Sequence, residues 1–140
     1  KMIPKQKTQH SVADIMRTAD CGVFPARAEG WNLELLEMMS CGKHVIATNY
    51  SGHTAFCDED NCMLIETDTL EEANDGKWFN GEGEWAHIGD EQIDLIAAYM
   101  RDIHALKQDG HLEENTSGAE TAKRFSWENS ARKIMSIEYG

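Results

Sequence analysis

Apolar positions along the first half of the chain alternate between helical spacing and short continuous runs. Val12, Ile15, Met16 and Ala19 recur every three to four residues. Ser11 is a good N-cap with Asp14 three residues on, so a helix is expected to start there. Cys21–Pro25 is a short apolar run closed by proline and reads as a buried strand. Ala26 to Trp31 reads as a loop. Asn32 can cap a second helix that carries Leu33, Leu35, Leu36, Met38 and Met39 to Cys41, with Gly42 where a helix-ending glycine belongs. His44–Thr48 reads as a second buried strand, Asn49–His53 as a turn-rich loop containing Ser51-Gly52, and Cys62–Ile65 as a third short strand.

Strands alternating with helices at this spacing are βαβ units. They predict an α/β fold with a parallel sheet covered by helices on its faces. In such sheets ligands bind beyond the carboxyl ends of the strands. The segments 26–32 and 49–54 both fall at that edge and should be neighbours.

The second half is patterned differently. Residues 74–89 hold Gly76, Gly81, Gly83 and Gly89 with Trp78 and Trp85, and predict a long loop or insertion. The two tryptophans read either as anchors for that insertion or as a cover over a neighbouring site or a domain contact. Asp90 can cap a long helix over 90–109 with an apolar stripe of Ile93, Ile96, Ala97, Met100 and Ile103, ended by Gly110. A polar linker follows over 111–118. C-terminal helices are expected over 119–139: one near Ala119–Arg124, and one capped by Ser126 with Trp127, Ala131, Ile134 and Ile137 on one face.

Size and charge narrow the function classes. At 140 residues and 41% hydrophobic, the chain fits one globular domain. The net charge of −12 opposes nonspecific nucleic-acid binding, which depends on basic side chains neutralising phosphates. The charge is uneven. Residues 1–57 hold six basic and five acidic residues, a net of +1, and residues 58–140 hold seven and twenty, a net of −13. An anionic ligand therefore suits the first part. No apolar run reaches the ~18 residues of a membrane span, and no signal peptide is evident, so a cytoplasmic location is expected. Cys21, Cys41, Cys57 and Cys62 fit no zinc or CxxC spacing and read as reduced thiols; no metal site is expected.

The residues that can carry chemistry lie between 25 and 54. Glu29 falls in the loop after the first strand, and Glu37 on the following helix. Between them the helix N-terminus presents unpaired amides and the positive end of the helix dipole, a ready place for phosphate, and Gly30 allows close approach of the backbone. Carboxylates accept hydrogen bonds from sugar hydroxyls but repel phosphate. One loop thus offers a phosphate site and two hydroxyl acceptors, the needs of a nucleotide-sugar. A half-buried loop glutamate and a helix-surface glutamate without a ligand satisfy the same pattern.

Three stretches carry a resemblance: Ala19–Pro25; Glu29-Gly-Trp-Asn-Leu-Glu-Leu-Leu-Glu37 running on to Gly42; and Val45–Thr48. Together they resemble the donor-binding core of the retaining nucleotide-sugar glycosyltransferases of the GT-B fold, whose signature is two glutamates separated by seven residues. Phe125-Ser-Trp127 is similar to the segment that opens their last helix. The resemblance covers residues 12–66 and, more loosely, 119–139. It implies a Rossmann-like sheet forming part of a GT-B C-terminal domain, and transfer of a sugar from a nucleotide-diphospho-sugar with retention of configuration, without a cofactor or catalytic metal. Glu29 would act at the donor sugar as the catalytic position. Glu37 would hold the ribose. The amides of Gly30, Trp31, Asn32 and Leu33 would face the diphosphate, and Thr48, Gly52 and His53 would flank the site.

The family usually has glycine where this chain has Asn32, and Gly-Gly-x-Pro-Glu where this chain has Ser51-Gly-His-Thr-Ala55. Asparagine tolerates the same unusual backbone angles. His53 could reach a donor phosphate or an acceptor, or pack on the loop. Arg27 could support the phosphate site or serve the surface. The resemblance also implies an N-terminal acceptor domain ahead of Lys1, so the chain reads as a donor-binding portion with weak or no transferase activity alone. Its acceptor would be a saccharide, a lipid or a protein, and an open sheet edge could drive self-association. Two other readings share the fold: another GT-B enzyme, such as an epimerase or phosphorylase, or a non-catalytic acidic interaction module.

Overall fold

Val45 and Ala47 point to one side of a strand and Ile46 to the other, and both sides are buried. That double burial organises the structure, a computed structural model that describes residues 2–138. Strand β1 (Cys21–Phe24), strand β2 (His44–Thr48) and strand β3 (Met63–Ile65) form a parallel sheet in the order β1-β2-β3. The register aligns Val23 with Ile46 and Ile46 with Met63; one residue on, it aligns Phe24, Ala47 and Leu64. Each row belongs to one face. A parallel sheet covered on both faces needs such continuous apolar strands.

Helices α1 (Gln9–Thr18) and α2 (Leu33–Ser40) pack on the Phe24–Ala47–Leu64 face. There Leu35, Met38 and Met39 of α2 meet Val45, Phe56, Cys57 and Cys62. The opposite face is closed by α3 (Asp90–Gln108), whose Leu95, Ile96, Tyr99 and buried Ile103 pack on Ile46 and Ile65. The expected stripe of α3 is therefore rotated: Ile93 and Met100 are exposed, and Leu95 and Tyr99 take their place. Helix α4 (Thr116–Arg124) adds Ala122 to the first face. It is locked there by Asn115, whose side chain accepts from the Gly118 amide (2.8 Å) and donates to the Asn61 carbonyl (2.8 Å). Asn61 in turn donates to the Phe56 carbonyl and to Thr121 Oγ1.

Three expectations need correction. The first helix starts at Gln9 rather than after Ser11, because Thr8 Oγ1 caps it by accepting from the Ser11 amide (3.1 Å). The fourth helix begins at Thr116, not near 119, because Asn115 caps it. The expected loop over 74–89 is mostly an antiparallel ribbon of β4 (Leu70–Asn74) and β5 (Asn80–Ala86). The final helix, α5 (Trp127–Glu138), forms and Ser126 caps it through the Asn129 amide, but its apolar face stays open: Trp127, Ile134 and Ile137 are all exposed.

All four cysteines are free thiols. Cys57 and Cys62 are buried together, and a thiol hydrogen bond to Cys57, with burial, pushes the Cys62 thiol far above its ordinary range. Among the described residues, no helix is long and apolar enough to cross a membrane.

Candidate functional site

The two loops beyond β1 and β2 meet. The Gly52 amide donates to the Glu29 carbonyl (2.9 Å), and the Glu29 amide donates to Ser51 Oγ (2.8 Å). Ser51 adopts φ +69°, an uncommon angle for a residue with a side chain. A short 3-10 turn over Gly52–Ala55 follows, fixed by the Thr54 amide and hydroxyl, which both donate to the Ser51 carbonyl. The sequence pattern assigns no role to Tyr50, and none to Ser51 beyond its place in a turn-rich loop. Their role depends on contacts more than twenty residues away, which no local pattern encodes.

Asn32 is left-handed, at φ +65° and ψ +68°, and buried. Its side chain accepts from the Leu35 amide (3.2 Å). Asparagine does two jobs here that glycine could only half fill: it accepts the positive φ and it caps α2. Among the described residues, no protein acceptor takes the amides of Gly30, Trp31, Asn32 or Leu33. These four consecutive donors lead into the positive end of α2.

Glu29 and Glu37 are both exposed, and the structure places them differently. Glu37 lies with Leu33 and Ser40 on the solvent side of α2, at the lip of an open cleft of about 640 Å³. Trp31, Leu36, Phe125 and Trp127 form the apolar lining of that cleft. Trp31 is half-buried, its ring 5.1 Å from Phe56 and 5.5 Å from Phe125. Glu29 does not line this cleft; it stands on the loop held by Ser51 and Gly52. Leu33 is exposed.

Thr48 and His53 lie beneath the loops, fully buried. His53 Nε2 donates to the Thr48 carbonyl (2.5 Å), which makes the ring a prop for the turn. Its Nδ1 and the Thr48 hydroxyl have no protein partner. Arg27 turns away from the helix N-terminus. Its guanidinium pairs with Glu71, donates to the Ala86 carbonyl (3.2 Å) and stacks on Trp85, 4.1 Å from the ring centroid. It therefore fastens the ribbon rather than lining a phosphate site.

The ribbon is strapped to the same edge of the sheet. The Ala86 amide donates to the Arg27 carbonyl (2.7 Å), and the Tyr50 hydroxyl donates to the Glu84 carbonyl (3.1 Å). Glu71 also bonds to His87.

Residues 3–75, more than half of the chain, match the family described as Glycosyl transferases group 1. No curated protein matches the chain. The matched stretch contains the whole parallel sheet, both glutamates and both loops of the site.

Proposed function

Because the chain belongs to the group 1 glycosyltransferases, we propose that its carboxyl-edge loops bind the diphosphate-sugar donor of a sugar transfer that retains configuration. The observation that carries this reading is the run of four unpartnered amides at Gly30–Leu33, set between two exposed carboxylates. The amides and the helix dipole favour the diphosphate. The carboxylates accept hydrogen bonds from hydroxyl groups, Glu37 from the ribose and Glu29 from the transferred sugar.

In the transfer, the bond from the anomeric carbon to the leaving phosphate oxygen breaks. A bond to an acceptor hydroxyl oxygen forms, and that hydroxyl passes its proton to the departing phosphate oxygen. Negative charge gathers on the departing nucleoside diphosphate. Fixed donors aimed at that charge lower the barrier without reorganising. A rigid loop is therefore part of the chemistry, and the Ser51, Gly52 and His53 contacts supply it.

The test is a panel of UDP-, GDP- and ADP-sugars, observed by ligand-detected NMR. One nucleotide should bind, and Glu37→Ala should weaken it about tenfold, the loss of one or two hydroxyl hydrogen bonds. Unchanged affinity in Glu37→Ala would remove the ribose role. Binding by none of the panel would overturn the donor reading.

A further inference from the structure

Of the seven asparagines in the chain, six have committed side chains. Asn32, Asn49, Asn61, Asn74, Asn115 and Asn129 each make at least one side-chain hydrogen bond. Among the described residues, the Asn80 side chain makes none, and Asn80 is exposed at the start of β5. It is also the one asparagine that a glycine follows. A carboxamide held by hydrogen bonds is kept from its own backbone; a free one beside glycine is not.

Asn80 closes the ribbon opposite Asn74. The next pair is Glu72 with Glu84, so Gly81, Glu82 and Gly83 stand against Ala73 alone, and Gly81 has no partner in the register. Its backbone leaves the strand region at φ +95° to absorb the extra residues. Glycine suits that position, because side chains rarely adopt the angle and the Glu72 carboxylate fills the space a Cβ would take, with Oε1 2.5 Å away. The irregularity therefore leaves the Gly81 amide nitrogen without a shielding side chain. The Asp75-Gly76 pair at the ribbon tip is restrained by comparison. One Asp75 carboxylate oxygen accepts from the amides of Lys77 (2.9 Å), Trp78 (2.8 Å) and Phe79 (3.0 Å), and the Gly76 amide donates to Asn74 Oδ1 (3.0 Å). There the carboxyl and the amide are both engaged.

We propose that Asn80-Gly81 is a self-modification site, at which the residue closing the ribbon converts to isoaspartate and aspartate with water as the only co-reactant. The Gly81 amide nitrogen attacks the Asn80 side-chain carbonyl carbon. A bond from that nitrogen to Cγ forms, the bond from Cγ to Nδ2 breaks, and ammonia leaves with the proton the amide gives up. The product is a five-membered imide. Water then adds to either ring carbonyl: opening on the side-chain side gives aspartate, and opening on the main-chain side gives isoaspartate. No electrons are exchanged. Isoaspartate carries one more methylene in the backbone, which breaks the Asn74–Asn80 closing pair. Either product adds a negative charge to residues 70–86, which already hold five acids and one base, Lys77. The ribbon tip is thereby loosened with age, while its fastening to Arg27 and Tyr50 lies at the other end of β5. This inference is independent of the donor reading.

The experiment incubates the whole chain in warm, mildly alkaline buffer and follows each asparagine by peptide mapping and mass spectrometry. The peptide holding Asn80 should become about 1 Da heavier as ammonia is exchanged for water. It should do so at least about tenfold faster than the peptides holding the other six asparagines. An isoaspartate-specific methyltransferase with a labelled methyl donor should then label that peptide. Asn80→Gln, which keeps the carboxamide but needs a larger ring, should abolish the label. The same incubation in urea should leave the rate at Asn80 nearly unchanged, since the folded ribbon already exposes the pair. The proposal is overturned if Asn80 reacts no faster than the other asparagines, if its product contains no isoaspartate, if Asn80→Gln is labelled as the parent is, or if urea greatly accelerates the reaction, which would show the fold holding the pair unreactive.

Discussion

Gly52 and Gly30 are in backbone contact so close that a Cβ atom on Gly52 would fall 2.0 Å from the Gly30 carbonyl oxygen. The obstacle is main chain, which cannot rotate away. Gly52→Ala must therefore push the Glu29 loop off the Ser51 turn. The expected cost is about 1–3 kcal/mol of stability, together with weaker nucleotide-sugar binding. Urea denaturation and the donor panel, run on the same preparation, check both. A variant of parental stability and affinity would show that the two loops do not act as one unit.

Asn32 gives a graded comparison. Asn32→Gly keeps the left-handed backbone and loses the cap to Leu35, at a few tenths of a kcal/mol. Asn32→Ala loses the cap and strains the positive φ, for an expected total of about 2–3 kcal/mol. The order of the three proteins in thermal unfolding, parent above glycine above alanine, is the outcome to check.

The region around Asn32 is also the part of the fold most legible in the sequence. The strand, the capping asparagine, the helix and the ending glycine at φ +70° are local signals, each set by neighbours within a few residues. The ribbon is the opposite case. Leu-Glu-Glu-Ala-Asn is a poor strand sequence by propensity. It becomes a strand because Arg27 pairs with Glu71, the Arg27 backbone holds Ala86 and Tyr50 holds Glu84, all distant in the chain. One readable signal was present: Asp75-Gly76 is a hairpin turn pair. The periodicity of α5 was readable too, but periodicity says which residues share a face and not what covers it. His53 shows the same limit at the site. The sequence leaves His53 either reaching a donor phosphate or an acceptor, or packing on the loop, and only the fold shows it as a buried prop.

Asp75 makes the ribbon tip sensitive to acid. The amides of Phe79, Lys77 and Trp78 hold its carboxyl below the ordinary range. A lowered folded-state value means the carboxylate orders the tip at neutral pH, and that contribution fades as pH falls below about 4. Trp78 fluorescence anisotropy should drop over that range, ahead of global unfolding. Asp75→Ala should show the low value at every pH.

Asn115 ties three segments with one side chain. Asn115→Ala removes the cap on α4 and leaves the Asn61 and Lys43 carbonyls without their amide partner. The expected loss is on the order of 2–4 kcal/mol, larger than for an ordinary cap because buried acceptors are stranded. Chemical denaturation measures it.

The crossover from β3 to α3 is pinned at both ends. Ile65 is fully buried, and at the start of α3 the Gln92 side chain accepts from the Gly89 amide and donates to the Glu66 carbonyl. Everything between those pins lies outside both buried clusters apart from the chain's own ribbon contacts. The segment is therefore a cassette: it can lengthen, shorten or be exchanged during divergence while the sheet, its register and the Glu29 loop are inherited intact.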